Sequence, residues 1–410
     1  MRDKFLPFSP PLIGEAEINE VVDTLRSEWI TTGPKVKRFE EDFAQFVHAP
    51  DALAVNSGTA ALHLALLALG IGAGDAVITS PLTFCSAVHV IEHVGATPIL
   101  SDVEPDTLNL DPQGIRDRIE KTESDLGLRV RAIMPVDLYG HPCDRDAILK
   151  IAAEYNLAVI EDAAHSLPAF YKGRPIGSLS ATDSVAVLTC FSFYATKNLT
   201  TAEGGMLTGH NGLLERARRW SLHGMSRDAW KRYSANGSWA YDVVCPGYKY
   251  NMTDIQAALG LHQLKKLLQF HARRSAIVER YNAAFGLREE LQLPAQRSEV
   301  QHAWHLYVLR LKPDRTGITR DQFLDAMQSR RIGCSVHFIP VHLLRYYREK
   351  YRYAPEDFPV ALGAYQHMVS LPLSARMTDQ DVDDVISAVN GILDHHKPVT
   401  VVGPADVVSV

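Results

Sequence analysis

The chain has 410 residues, 46% hydrophobic and 22% charged, which is enough apolar surface for a sizeable core spread over two or three domains. A formal net charge of −6 argues against a broad nucleic-acid-binding face, which is normally basic. The five cysteines (Cys85, Cys143, Cys190, Cys245 and Cys334) include no close-spaced pair, so a reduced thiol set is expected rather than a disulfide framework or a metal site.

The opening run from Met1 to Pro11 lacks the apolar centre of a secretory signal. The longest apolar candidate for a membrane span, Ala60 to Ile78, is interrupted by His63, three glycines and Asp75. A cytoplasmic protein with neither membrane nor nucleic acid as a partner is the expectation.

From about residue 40 to 225, short apolar runs alternate with helical patterns. Ala52–Val55 reads as a strand, Thr59–Leu69 as a helix closed by Gly70, Ala76–Ser80 as a strand and Phe84–Val94 as a helix. Strands at Thr97–Ser101, Val130–Val136, Ala158–Glu161 and Val185–Phe191, with a helix at Arg145–Tyr155, continue the series. Near-continuous apolar strands separated by helices predict a mostly parallel sheet covered on both faces.

Thr253–Phe285 reads as one long helix or two in series, with Asp254 placed to favour its N-terminus. Beyond it, His302–Leu311 and Ile332–Phe338 read as strands, and Arg320–Ser329 and Asp379–Leu393 as helices. The expected division is an N-terminal arm with a large domain over 1–264, a smaller α/β domain over 265–396, and a tail at 397–410 without helical period.

Ligands in such sheets bind beyond the carboxyl ends of the strands. Three segments fall just after expected strands: Asn56-Ser57-Gly58-Thr59, Asp162 with Ala163-Ala164-His165, and Ser192 through Lys197 to Gly205. Alone, each has an ordinary explanation, as a helix cap, a turn residue or a solvated lysine. Together they offer an amine, a carboxylate and a phosphate cradle, the groups needed to hold pyridoxal 5′-phosphate. A lysine amine condenses with an aldehyde, and a carboxylate beside the pyridine nitrogen keeps it protonated. Backbone N–H groups at Gly58 and Thr59, with the Ser192 hydroxyl, suit a phosphate at a helix start. Phe84 is placed to stack on the ring and His165 to touch its phenolic oxygen.

At these residues the chain resembles the DegT/DnrJ/EryC1/StrS family of aminotransferases, from Phe8 to about Leu393. The motifs are Trp29-Ile30-Thr31-Thr32-Gly33-Pro34, the three segments above, and Gly247-Tyr248-Lys249-Tyr250-Asn251-Met252-Thr253-Asp254. The resemblance implies the aspartate-aminotransferase-like fold (fold type I of PLP-dependent transferases), in a homodimer with shared active sites. It makes Lys197 the lysine that bonds the cofactor and Asp162 the partner of the pyridine nitrogen. Gly58, Thr59 and Ser192 fall on phosphate positions, Phe84 on the stacking position and His165 on a ring contact. Asn251 falls on the asparagine that reaches the phosphate of the neighbouring subunit.

The Gly247–Asn251 run, His302-Ala303-Trp304-His305-Leu306 and Tyr346-Tyr347-Arg348-Glu349 are similar to enzymes of UDP-linked 4-keto sugars, including those making UDP-4-amino-4-deoxy-L-arabinose. Phe84 departs from the arabinose enzyme, which carries Trp there. The implied activity moves the amino group of L-glutamate to the C4 ketone of a nucleotide-linked sugar, with amination at C3 as the alternative. Thr32, Lys231, Arg232 and His337 are the expected substrate contacts. A sugar dehydratase on this fold would carry His in place of Lys197, and a regulatory relative could dispense with Lys197 or Asp162.

Overall fold

The computed structural model describes residues 2–179, 185–225 and 241–396. Helices α1 (Glu15–Arg26) and α2 (Pro34–Val47) precede strand β1 (Ala52–Val55), followed by α3 (Gly58–Ala68), β2 (Asp75–Thr79), α4 (Ser86–His93) and β3 (Thr97–Leu100). Next come α5 (Pro112–Leu126), β4 (Arg129–Met134), α6 (Arg145–Glu154) and β5 (Ala158–Asp162). Two short strands, β6 (Phe170–Tyr171) and β7 (Arg174–Pro175), lead to β8 (Val187–Ser192), β9 (Gly205–Gly209) and α7 (Asn211–Ser221). Helix α8 (Asp254–Phe285) is unbroken over 32 residues. After it lie β10 (Leu291–Gln292), β11 (Val300–Gln301), β12 (Tyr307–Leu311), α9 (Arg320–Ser329), α10 (Arg345–Tyr351), α11 (Pro359–His367), β13 (Met368–Leu371) and α12 (Asp379–His395).

The main sheet has seven strands in the order β1-β9-β8-β5-β4-β2-β3. Strand β9 runs antiparallel to both neighbours, and the contacts from β8 through β3 are all parallel. Strands β1, β8, β5, β4 and β2 therefore end at one edge, so the segments following them can converge. This is the mostly parallel α/β sheet that the alternation of runs predicted, and β1 has the expected bounds. A second sheet, β10-β12-β13, is wholly antiparallel.

Helix α8 belongs to two cores. Ala257, Leu261, Leu264 and Leu267 pack with Phe39, Phe43, Phe191 and Phe193 beside the main sheet. Ile277, Val278, Tyr281 and Phe285 pack with Tyr307, Phe323 and Val385 around the second sheet. One rigid helix thus ties the two bodies together, because apolar residues at helical spacing keep a stripe facing each core in turn.

Two expected strands are not formed as read. In His302–Leu311 only Tyr307–Leu311 is strand, because the N–H groups of Ala303 and Leu306 are taken by the carbonyls of Gly140 (2.8 Å) and Tyr139 (3.1 Å). Ile332–Phe338 forms no strand either. Its Ile332–Gly333 end joins Leu6, Ser335 pairs with Ser370, and the His337–Phe338 peptide is cis. Alternation of apolar residues marked both runs, but backbone partners from distant loops replaced a continuous ladder.

Asp254 does more than favour its own helix. Its buried carboxylate accepts N–H bonds from Gly33 (2.9 Å), Lys35 (3.1 Å) and Val36 (2.9 Å), capping α2 across the chain. Charge-assisted caps of this kind are the strong ones. Asp254→Ala is expected to cost about 3 kcal/mol, with Asp254→Asn recovering part of it. Denaturant unfolding of the two variants checks this.

Candidate active site

The site is built where β1, β5 and β8 end. After β1 the chain turns through Asn56 and Ser57 into α3, and the Ser57 hydroxyl caps that helix by accepting from Ala60 N–H at 3.1 Å. Gly58 and Thr59 then present first-turn N–H groups that have no partner within the helix. Ser192, the last residue of β8, stands directly over them: a Cβ at Gly58 would lie 2.8 Å from Ser192 Cβ and 3.3 Å from its hydroxyl oxygen. A Cβ at Gly205, in β9, would lie 2.5 Å from Ser57 O and 2.7 Å from Gly58 N. Two glycines therefore let β8, β9 and the α3 N-terminus close into a cradle of N–H and hydroxyl donors, which is what an anion needs.

Asp162 ends β5 with its side chain buried and one oxygen accepting from Ala164 N–H at 3.1 Å. Its neighbour Glu161, on the other face of the strand, is held by Arg145 and Thr189, each at 2.6 Å. Burial pushes the Asp162 carboxyl up to about 6, although Ala164 N–H and the Lys197 charge pull the other way. Burial likewise pulls the Lys197 amine down to about 8, against the opposing effect of Asp162. An amine lowered this far is partly neutral near physiological pH and so is available as a nucleophile or base.

His165 is buried, and its Nδ1 accepts from Tyr139 N–H at 3.2 Å. Its ring contacts those of His305 (centroids 4.4 Å apart) and Phe338 (5.8 Å), and Phe338 in turn meets Phe84 at 5.7 Å. Phe84 is 57% exposed at the same edge, an aromatic face open to a ligand. His337 bonds Ser370 Oγ at 2.8 Å and stacks on Phe8; burial and the Lys197 charge lower its pKa to about 4.

The structure thus brings Gly58, Thr59 and Ser192 into one cradle, and Asp162, His165, His337 and Lys197 into one electrostatically coupled group. Thr32 and Asn251 are bonded to each other, and Asn251 pairs with Val55 at the end of β1. Asn251 Nδ2 donates to Thr32 Oγ1 at 2.6 Å, and the Thr32 hydroxyl donates to Met252 O. Lys231 and Arg232 lie outside the described residues. Sequence reading overlooked Gly205, Tyr139, Asn198 and His305. Gly205, Asn198 and His305 already lay inside quoted motifs, but their roles, like that of Tyr139, depend on partners distant in the chain.

These residues fit pyridoxal phosphate. The donor cradle would be blocked by a Cβ at Gly58, Asp162 is buried with Lys197 as the cation acting on it, and Phe84 leaves an aromatic face open. The class defined by sheet, cradle and amine–carboxylate pair is that of the aminotransferases on this fold. The family model described as "DegT/DnrJ/EryC1/StrS aminotransferase family" matches residues 11–390, and the chain belongs to that family. It is 51% identical over 394 residues to the spore coat polysaccharide biosynthesis protein SpsC of Bacillus subtilis, covering 96% of this chain and 98% of the relative. An uncharacterised protein of Methanocaldococcus jannaschii is 48% identical over 398 residues, covering 97% and 100%. Among solved structures, the PMP form of the putative sugar aminotransferase Spr1654 of Streptococcus pneumoniae superposes with a TM-score of 0.86 at 36% identity, covering 95% of this chain and 99% of that one.

The raised carboxyl of Asp162 has a consequence for stability. Folded Asp162 holds its proton up to about pH 6, whereas an unfolded aspartate releases it near 3.8. The group's contribution to stability is therefore full below about pH 4 and is lost as pH rises to about 6. Asp162→Asn should flatten that dependence and make the cofactor-free protein more stable at pH 7, by up to about 3 kcal/mol. Unfolding of wild type and variant across pH 4–7 reads this directly.

Proposed function

We propose that this protein transfers the amino group of L-glutamate to the C4 ketone of a UDP-linked 4-keto sugar, using pyridoxal 5′-phosphate. The observation that carries the reading is the lowered Lys197 amine facing the buried Asp162 carboxylate beside a phosphate cradle. It is supported by the family membership and by the names of the relatives, which refer to sugar amination and polysaccharide synthesis. The cofactor supplies an aldehyde that takes up and gives back the amino group, and a ring that withdraws electrons from the substrate carbon.

The protein's part is to bind, orient and move protons. The N–H groups of Gly58 and Thr59 and the hydroxyls of Thr59 and Ser192 anchor the phosphate. Asp162 holds a proton on the pyridine nitrogen, and once a cation faces it the carboxylate regains the partner it lost on burial. Phe84 covers one face of the ring. Lys197, whose amine would bond the cofactor's aldehyde, would also act as the base and acid that moves the proton of the substrate carbon. One site serves donor and acceptor in turn, so the two half-reactions alternate.

Two copies of the chain form the working unit in this proposal, with the partner's Asn251 completing the phosphate site. Thr32, His337, Lys231 and Arg232 contact the sugar nucleotide, and the reaction takes place in the cytoplasm. No helix among the described residues is long and apolar enough to cross a membrane.

Adding L-glutamate to the purified, PLP-loaded protein should bleach its visible band and release 2-oxoglutarate. A panel of nucleotide-linked 4-keto and 3-keto sugars then identifies the acceptor. Lys197→Ala should abolish turnover, and Asp162→Asn should lower it by orders of magnitude while retaining some cofactor. Full activity in either variant contradicts the assignment.

A further inference from the structure

Asn198, next to Lys197, is buried and makes two different bonds. Its Nδ2 donates to Ala303 O at 2.8 Å, and its Oδ1 lies 3.2 Å from His305 Nδ1. A backbone carbonyl can only accept, so Ala303 fixes which end of the amide faces it. The amide oxygen must then face His305, whose Nδ1 must carry the proton, leaving Nε2 as a bare lone pair. The backbone that carries His305 is held in place. Arg274 Nη1 donates to the carbonyls of Trp304 and His305 at 3.2 Å each, and Leu306 N–H is bound by Tyr139 O at 3.1 Å. Its imidazole lies 4.4 Å from that of His165, centroid to centroid, at 39°.

His165 has the opposite arrangement. Tyr139 N–H occupies its Nδ1, so in the neutral ring the proton is on Nε2. We infer that Asn198 and His305 are positioning residues: Asn198 dictates the tautomer of His305, and His305, in ring contact with His165 as Phe338 is, steadies the ring whose Nε2–H, left by the Tyr139 bond, is the donor offered to the site. This deepens the proposed transamination and rests on Lys197 and Asp162 being its reacting pair.

The groups that act electrostatically on His305 are His165, Lys197, Arg274 and His337, and each disfavours its protonation, as burial does. Those on Lys197's side of the site are Asp162, His165, His305 and His337. A neutral His305 therefore keeps a second positive charge away from the amine. Replacing the Asn198 amide by a carboxylate would favour the imidazolium.

The test is nitrogen NMR of ¹⁵N-histidine-labelled protein loaded with PLP, with the His305 signals assigned by their loss in His305→Gln. Wild type is expected to show protonated Nδ1 and bare Nε2 at neutral pH. Asn198→Asp should show both nitrogens protonated, and the pH midpoint of its visible absorbance should move away from the wild-type value. A wild-type His305 protonated at Nε2, or at both nitrogens, overturns the inference without requiring any variant. So does an Asn198→Asp protein with wild-type nitrogen shifts and absorbance midpoint but a lower melting temperature, which would mark Asn198 as structural only. Neither readout uses a substrate, so failure to bleach with glutamate would count against transamination and not against this assignment.

Discussion

The site depends on removing one carboxylate and one amine from water at the end of a parallel sheet. Burial works in opposite directions on the two groups, raising Asp162 and lowering Lys197, and each only partly relieves the other. Left alone this arrangement is destabilising, since an unsatisfied buried charge is costly. A ligand that brings a cation to Asp162 and an electrophile to Lys197 offsets both costs at once. A cofactor bound there would regain the stability lost in the free protein, favouring occupancy and chemistry at the same place.

Geometry makes this possible. In the order β1-β9-β8-β5-β4-β2-β3, the strands carrying the cradle, Ser192 and Asp162 lie within a few positions of each other and end on one edge. The antiparallel β9 between β1 and β8 brings Gly205 against the Ser57–Gly58 peptide, where any side chain would meet backbone. Several loops then close over His165: Tyr139 N–H on its ring, Gly140 O holding Ala303, and Asn198 holding His305. The loops are fixed mainly by backbone groups, so the side chains facing the ligand remain free to be chosen for their chemistry.

That division also explains what could be read from the sequence. The apolar runs of β1, β5 and β8 and the polar residues at their ends were legible, because burial on both faces leaves a continuous apolar signature. The helical periodicity of Thr253–Phe285 was legible, although not that it forms one helix and not two, nor that Asp254 caps α2 instead of serving only its own helix. Ile332–Phe338 misled because its residues alternate like a strand while their backbone partners are Leu6 and Ser370. His305 was passed over for a related reason. Its role is set by Ala303 O and Asn198, a carbonyl and an amide that no residue pattern connects.

The charges in the site are few. Burial holds His165, His305 and His337 well below the usual imidazole range, so near neutral pH they act as dipoles and not as cations. The cradle also works through backbone N–H groups and hydroxyls at the start of α3. A phosphate can therefore be anchored there without a fixed imidazolium beside Lys197, where it would drive the amine's pKa still lower. The acidity of that amine is then governed by its burial and by Asp162. The same carboxylate that would keep the ring nitrogen protonated also tempers the amine, so a change at Asp162 must alter both the electron sink and the base.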